Sequence, residues 1–267
     1  MKTNERFWFF EGGQDLEMRT IDAHLEKLGI MRSNKNLAWG AKASDYREEI
    51  ARAVADGYIP VLIELVIDID LPEGAIDINH HDTRSAEPAS ILQVLALLSI
   101  EPIRHDLLVA ANDAGFLHGL LRFGATPAEI AEIRSGERQI QAITAEQEEQ
   151  AISALRDMRI KEINGVALGI VDNLPHSRFA PVSDRAFAGG QVDCLVSVYR
   201  GEEGSHEIQF EWYPELVRAL AEKYPDSWSG GQYWSSYADP DEVILFILSW
   251  FKEHGAPEGV AQPSPRQ

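Results

Sequence analysis

Carboxylates and imidazoles recur just behind the apolar, strand-like runs of this sequence. Glu11, Asp15 and Glu17 follow the aromatic run Arg6–Phe10. Glu64 lies inside the β-branched run Ile59–Ile67, which ends near Asp68 and Asp70. Asn79-His80-His81-Asp82 follows Ala75–Ile78, and Asn112-Asp113-Ala114-Gly115 follows Leu107–Ala111. In an open α/β sheet, ligands bind outside the carboxyl ends of the strands, so four strand ends would bring these groups to one rim. Crowded carboxylates repel one another and take up protons unless a cation neutralises them. Oxygen donors joined by an imidazole suit Mg²⁺ or Mn²⁺, and two such ions can clamp a phosphoryl group and activate a water.

Each residue also has a plainer reading. Glu11, Asp15 and Glu17 fit an ordinary acidic first turn of a helix, favoured by its dipole. His80 and His81 fit two loop residues, and Asp113 fits a turn before Gly115. Glu64 is harder to dismiss, because a carboxylate within an apolar strand needs a partner. Asp68 and Asp70 read as solvated acids, and His118 reads as structural. Trp39, Trp228, Tyr233 and Trp234 read as core or interdomain packing, although aromatics of the second half could stack a base.

The elements that must position these groups alternate. Arg6–Phe10, Ile59–Ile67, Ala75–Ile78 and Leu107–Ala111 read as strands. Between them, Leu16, Ile21, Leu25 and Leu28 recur at helical spacing before Gly29, Tyr46–Asp56 is amphipathic, and Pro88 opens a helix to Leu98. This alternation predicts an α/β domain with a mostly parallel sheet. Thr126-Pro-Ala-Glu129 and Thr144-Ala-Glu-Gln147 are capping boxes, the second opening a charged helix to about Lys161. Beyond it Gly165–Val171, Asp193–Tyr199 and His206–Trp212 read as strands, Glu215–Lys223 and Glu242–Lys252 as helices, and Ser229-Gly230-Gly231 as a loop. The expected organisation is an α/β domain over 1–145, a connecting helix over 146–163 and a smaller α+β domain over 164–253. A Pro-, Gly- and Gln-rich tail over 254–267 is expected to be disordered.

Composition narrows the partners. The chain has 267 residues, with 24 Lys+Arg against 43 Asp+Glu and a net charge of −19. Such an acidic surface argues against long nucleic acid and anionic membrane. An apolar share of 45% with 25% charged is that of a folded protein. The single cysteine, Cys194, excludes an internal disulfide framework and a thiolate zinc cluster. The longest apolar runs, Ile91–Ile100 and Val243–Phe251, fall far short of the ~20 residues a bilayer requires. The first ten residues carry Glu5 and lack a cleavage-site pattern, so a cytoplasmic protein is expected.

Together these motifs resemble the DHH phosphoesterase superfamily. Its first motif is His-x3-Asp-x-Asp; Glu11-Gly-Gly-Gln-Asp15-Leu-Glu17 keeps the spacing with Glu at both ends. Its second is an acidic residue ending a later strand, matched best by Glu64, with Asp68 next. Its third, Asp-His-His, appears as Asn79-His80-His81, and its fourth as Asp113-Ala114-Gly115. The associated C-terminal domain of that family carries a glycine-rich loop, and Ser229-Gly230-Gly231-Gln232 stands in the corresponding place without the expected His.

The resemblance implies a metal-dependent phosphohydrolase of phosphodiesterase or pyrophosphatase type, acting on a short nucleotide or a small phosphorylated metabolite. Glu11, Asp15, Glu17, Glu64, His80 and Asp113 would hold two Mn²⁺ or Mg²⁺ ions. His81 would contact the phosphate as the catalytic group. Gly230, Gly231 and Arg84 would meet the substrate, in a cleft between the domains. A homodimer is compatible with this reading. The alternative is a catalytically degenerate nucleotide- or metal-binding sensor or interaction protein, motivated by the Glu and Asn substitutions at Glu11 and Asn79.

Overall fold

The computed structural model describes residues 6–81, 84, 86–201, 204–230 and 232–255. The chain parts into two compact units between Gln141 and Ala142. The first is α/β and the second α+β.

The first unit is built on strands β1 (Phe7–Glu11), β2 (Met31–Ser33), β3 (Ile59–Ile63) and β4 (Ile76–Ile78), in the order β2-β1-β3-β4, all parallel. The run Phe7-Trp8-Phe9-Phe10 is apolar at every position because both faces of the sheet are covered. Phe9, Val61, Ile63 and Ile78 pack with Met18, Ile21 and Leu25 of α1 (Leu16–Lys27), Ile91 and Val94 of α3 (Ser90–Leu97), and Leu108 and Val109 of α4 (Arg104–Phe123). Trp8, Phe10 and Leu62 face the other way, onto Ile50 and Ala53 of α2 (Arg47–Ala55) and onto Tyr46. Helix α5 (Pro127–Ile140) completes the unit, opened by the Thr126–Glu129 capping box.

The strand order fixes the place for a ligand. The chain leaves β1 for β2 on one side, then returns across it to β3 on the other, so the connections reverse between β1 and β3. A crevice opens at the carboxyl ends of strands at such a switch point. Glu11 ends β1, and Glu64 follows β3 at once. Gly12 lies so close to β3 that a Cβ there would stand 2.6 Å from the Glu64 carbonyl oxygen.

The second unit carries a six-stranded mixed sheet ordered β5-β6-β7-β8-β10-β9. Its strands are β5 (Arg159–Ile163), β6 (Val166–Leu174), β7 (Cys194–Arg200), β8 (His206–Glu211), β9 (Trp228–Gly230) and β10 (Tyr233–Ser236). Helices α6 (Ala145–Arg156), α7 (Ala180–Ala188), α8 (Pro214–Lys223) and α9 (Pro240–His254) accompany it. Val196, Val198, Ile208, Phe210 and Trp234 of the sheet form one core with Leu216 and Leu220 of α8 and Val243, Ile247 and Phe251 of α9.

Three expectations change. Leu107–Ala111 is helical, inside α4, not a strand. A short buried apolar run has no periodicity that separates strand from helix. The helix expected over 146–163 ends at Arg156, and Arg159–Ile163 is a strand antiparallel to β6. Its hairpin turns through Asn164-Gly165, both with positive φ (47° and 85°), the preference of a two-residue turn. Ser229 and Gly230 lie in strand β9, not a loop. Gly231 and the tail over 256–267 lie outside the described residues.

Candidate metal centre

Four residues from three segments converge at the carboxyl edge of the first sheet. Glu64, His80, His81 and Asp113 each offer a donor atom, and all four atoms lie within 4.8 Å of one another. His80 Nε2 stands 2.5 Å from Asp113 Oδ2, 3.4 Å from Glu64 Oε1 and 3.6 Å from Glu17 Oε2. His81 Nε2 stands 3.3 Å from Glu64 Oε2.

Each side chain is held by a local device. Glu64 sits at φ 51°, so β3 breaks off at that residue, and its Oε1 accepts a 2.8 Å hydrogen bond from the Ser90 hydroxyl. Glu17 lies in the first turn of α1, and its Oε1 accepts from the Ile91 backbone N–H at 3.0 Å. The N-terminus of α3 therefore faces the carboxylates and favours their charge. Asp15 caps α1 through Met18 N–H at 2.7 Å. His80 and His81 follow β4, where Asn79 Oδ1 accepts from His81 N–H and shapes the turn. Asp113 lies two residues before a break in α4, where Gly115 is extended and Phe116 takes φ 46°. The break folds the helix back on itself: a Cβ on Gly119 would meet the Ala111 carbonyl at 1.9 Å.

The electrostatics follow from burial and crowding. Burial lifts the Asp15 carboxyl to about 8, with the charges of Asp113 and Glu64 adding to the rise. Burial and Asp113 likewise raise Glu17, against the contact with His80. Burial alone would lower His80, but Asp113, Glu17 and Glu64 outweigh it and hold the imidazolium up to about 12. Burial opposes ionisation of Glu64, yet His80 and His81 pull its carboxyl below the usual range. Glu64 in turn raises His81.

The fit to a cation rests on buried atoms that face one another without aligned hydrogen bonds. Glu17 Oε2, Glu64 Oε2, His80 Nε2, His81 Nε2, Asp113 Oδ2 and Asp15 Oδ2 are all buried, and none has an aligned hydrogen-bond partner. A buried polar atom left so is costly, and this many at one spot call for a shared ligand. Hard oxygens with imidazole nitrogen are a donor set for Mg²⁺ or Mn²⁺.

The remaining candidates stand apart from the four. Glu11 is fully buried; Asn34 donates to its Oε2 at 2.6 Å, Oε1 is unpaired, and burial with the nearby Asp22 charge pushes its carboxyl to about 8. Arg84 is engaged by Asp77 at 2.9 Å and by Glu87 at 2.7 Å. Gly230 ends β9 in the second unit and packs on the Tyr233 ring. Asp68 is a surface acid bonded by Ser44, and burial lowers His118 to about 4. Ser90 and Asn34 escaped sequence reasoning, since neutral residues at these distances carry no pattern. Trp39, read as packing, is 61% exposed, with its ring at 77° to that of His81 and centroids 5.6 Å apart.

An exopolyphosphatase-related protein of Bacteroides fragilis aligns over 94% of both chains with a TM-score of 0.50 at 10% identity. RecJ of Thermus thermophilus, solved with Mn²⁺, aligns over 94% of this chain with the same TM-score and identity. This chain shares the fold of these two proteins. It spans 53% of that RecJ chain. A pGpG-specific phosphodiesterase of Vibrio cholerae aligns at a TM-score of 0.43 and 11% identity, over 94% of this chain and 100% of its own. No protein-family model and no curated protein sequence matches the chain. No helix among the described residues is long and apolar enough to cross a membrane.

Proposed function

We propose that the protein is a metal-dependent phosphohydrolase acting on a small phosphorylated compound. The observation that carries this reading is the convergence of Glu64, His80, His81 and Asp113, with Glu17 beside them, their buried donor atoms facing one another without aligned hydrogen bonds. Glu17, Glu64, His80 and Asp113 would hold one divalent cation, with Asp15 and Glu11 extending the donors toward a second. Bound there, Mn²⁺ or Mg²⁺ would neutralise phosphoryl charge and lower the pKa of a water.

The chain's own groups do the rest. His81 is 35% exposed, whereas Glu64 and His80 are buried; its Nε2 is turned in toward Glu64, and its ring is the one of these three that reaches solvent to meet incoming phosphate. Glu64 holds that imidazole and favours its protonated form, which donates to a phosphoryl oxygen as negative charge grows. Ser90 and the Ile91 N–H keep Glu64 and Glu17 pointed inward. Calorimetric titration with Mn²⁺ is expected to find two tight sites. The loaded protein should hydrolyse one of a general phosphodiester, pyrophosphate or a short oligonucleotide.

The second reading is a binding protein without turnover. It is favoured by Asn79, which spends its amide oxygen on the turn at His81 and brings no carboxylate. One weak site with no hydrolysis would support it.

A further inference from the structure

The cluster is acidic and buried, yet a large neutral aromatic stands open beside it. Trp39 is 61% exposed. Its backbone is not free to drift. Leu37 bridges in parallel to Gly13 between Glu11 and Asp15, and Ala41 N–H closes a turn onto the Ala38 carbonyl. Gly13 packs so tightly that a Cβ there would lie 3.1 Å from Trp39 Cα. The loop that carries Asp15 thus anchors the tryptophan, and its ring stands roughly perpendicular to that of His81, at 77° with centroids 5.6 Å apart.

An exposed indole costs solubility and gains nothing for the core, so its fixed place next to the phosphate-facing histidine invites a ligand. We infer that Trp39 is a stacking ledge, and that the substrate is a phosphate ester carrying a planar base: a nucleotide, not pyrophosphate or a sugar phosphate. A phosphate at the open side of the His81 ring would put the group it esterifies against the indole. A nucleobase has a neutral π-face suited to it, and base–aromatic stacking is tolerant of base identity. This inference rests on the phosphohydrolase reading and sharpens it.

The test compares two ligands that share a phosphate and differ by the base. Adenosine 5′-monophosphate and ribose 5-phosphate are titrated calorimetrically into the Mn²⁺-supplemented protein and its Trp39→Ala and Trp39→Phe variants. Wild type should bind the nucleotide roughly 5- to 150-fold more tightly, the span that one stacked base contributes. Trp39→Ala should erase that difference while leaving ribose 5-phosphate affinity unchanged, and Trp39→Phe should restore most of it. Because the side chain is exposed, both variants should melt like wild type. If wild type does not distinguish the ligands, or Trp39→Ala keeps the preference, or it weakens both ligands equally through His81, the ledge is wrong and the phosphohydrolase reading survives. If neither ligand binds and no phosphoester is cleaved, both readings fall together.

Discussion

Without metal, the protein should lose stability as the pH rises through neutrality. Glu11 and Asp15 hold their protons to about pH 8, although unfolded carboxyls release them near pH 4. His80 holds its proton to about pH 12 against an unfolded value of ~6.5. All three pKa values are raised, so between pH 6.5 and 7.5 the folded state binds more protons than the unfolded one. The slope of unfolding free energy on pH is then negative. Each such group takes about 1.4 kcal/mol per pH unit, so the three together set a ceiling of about 4. His118 is lowered to about 4, which makes stability rise with pH, but only up to its unfolded value near 6.5.

The assay is urea unfolding in a chelator at pH 6.5 and 7.5. Asp15→Asn is the control, since Asn caps a helix as Asp does and carries no titrating proton. It should flatten the slope by about 1.4 kcal/mol per pH unit and stabilise the apo protein at pH 7.5. Divalent metal should reverse the trend, because ligands shed protons as they bind. An apo stability that is flat or rising over this interval would show that these buried acids are not protonated, and the crowding argument for a cation would lose its basis.

Three further outcomes follow from the geometry. Asp113→Asn should keep the fold but lose most of the Mn²⁺-induced rise in melting temperature, which scanning calorimetry reads; an equal rise in both proteins would remove Asp113 from the cation's contacts. Gly12→Ala should destabilise by about 1–3 kcal/mol in chemical denaturation, since its Cβ would press on the Glu64 carbonyl at 2.6 Å. Ser90→Ala should cost about 1.5–3 kcal/mol by the same measurement, because it withdraws a hydrogen bond from a charged, buried carboxylate.

Strands β1 and β3 of the first sheet were legible in the sequence for a physical reason. A strand buried on both faces must be apolar throughout, and Phe7–Phe10 and Ile59–Ile63 are. The capping boxes at Thr126 and Thr144 were legible because they are local chemistry, complete within four residues, and both form. The β5–β6 hairpin was missed because Arg159–Ile163 is solvated, so polarity hid the strand. Asn164-Gly165 was the available signal. Trp39 lies outside the core, because hydrophobicity predicts burial only on average.

Asp113 shows why a site can be more legible than the element bearing it. The preceding run reads as a strand and is a helix, yet Asp113 still arrives beside His80. A side chain that must reach a ligand needs an interruption, where backbone no longer dictates direction. A strand end provides one, and so does a helix broken at Gly115–Phe116. Asn112-Asp113-Ala114-Gly115 marks that interruption by its small residues, whichever element it ends. The supporting residues have no such mark. Ser90 and Asn34 reach the carboxylates through contacts 26 and 23 residues away in sequence, which their own neighbourhoods do not announce. Residue chemistry therefore pointed to the charged groups, whereas the neutral donors that aim them became visible only when the chain had folded.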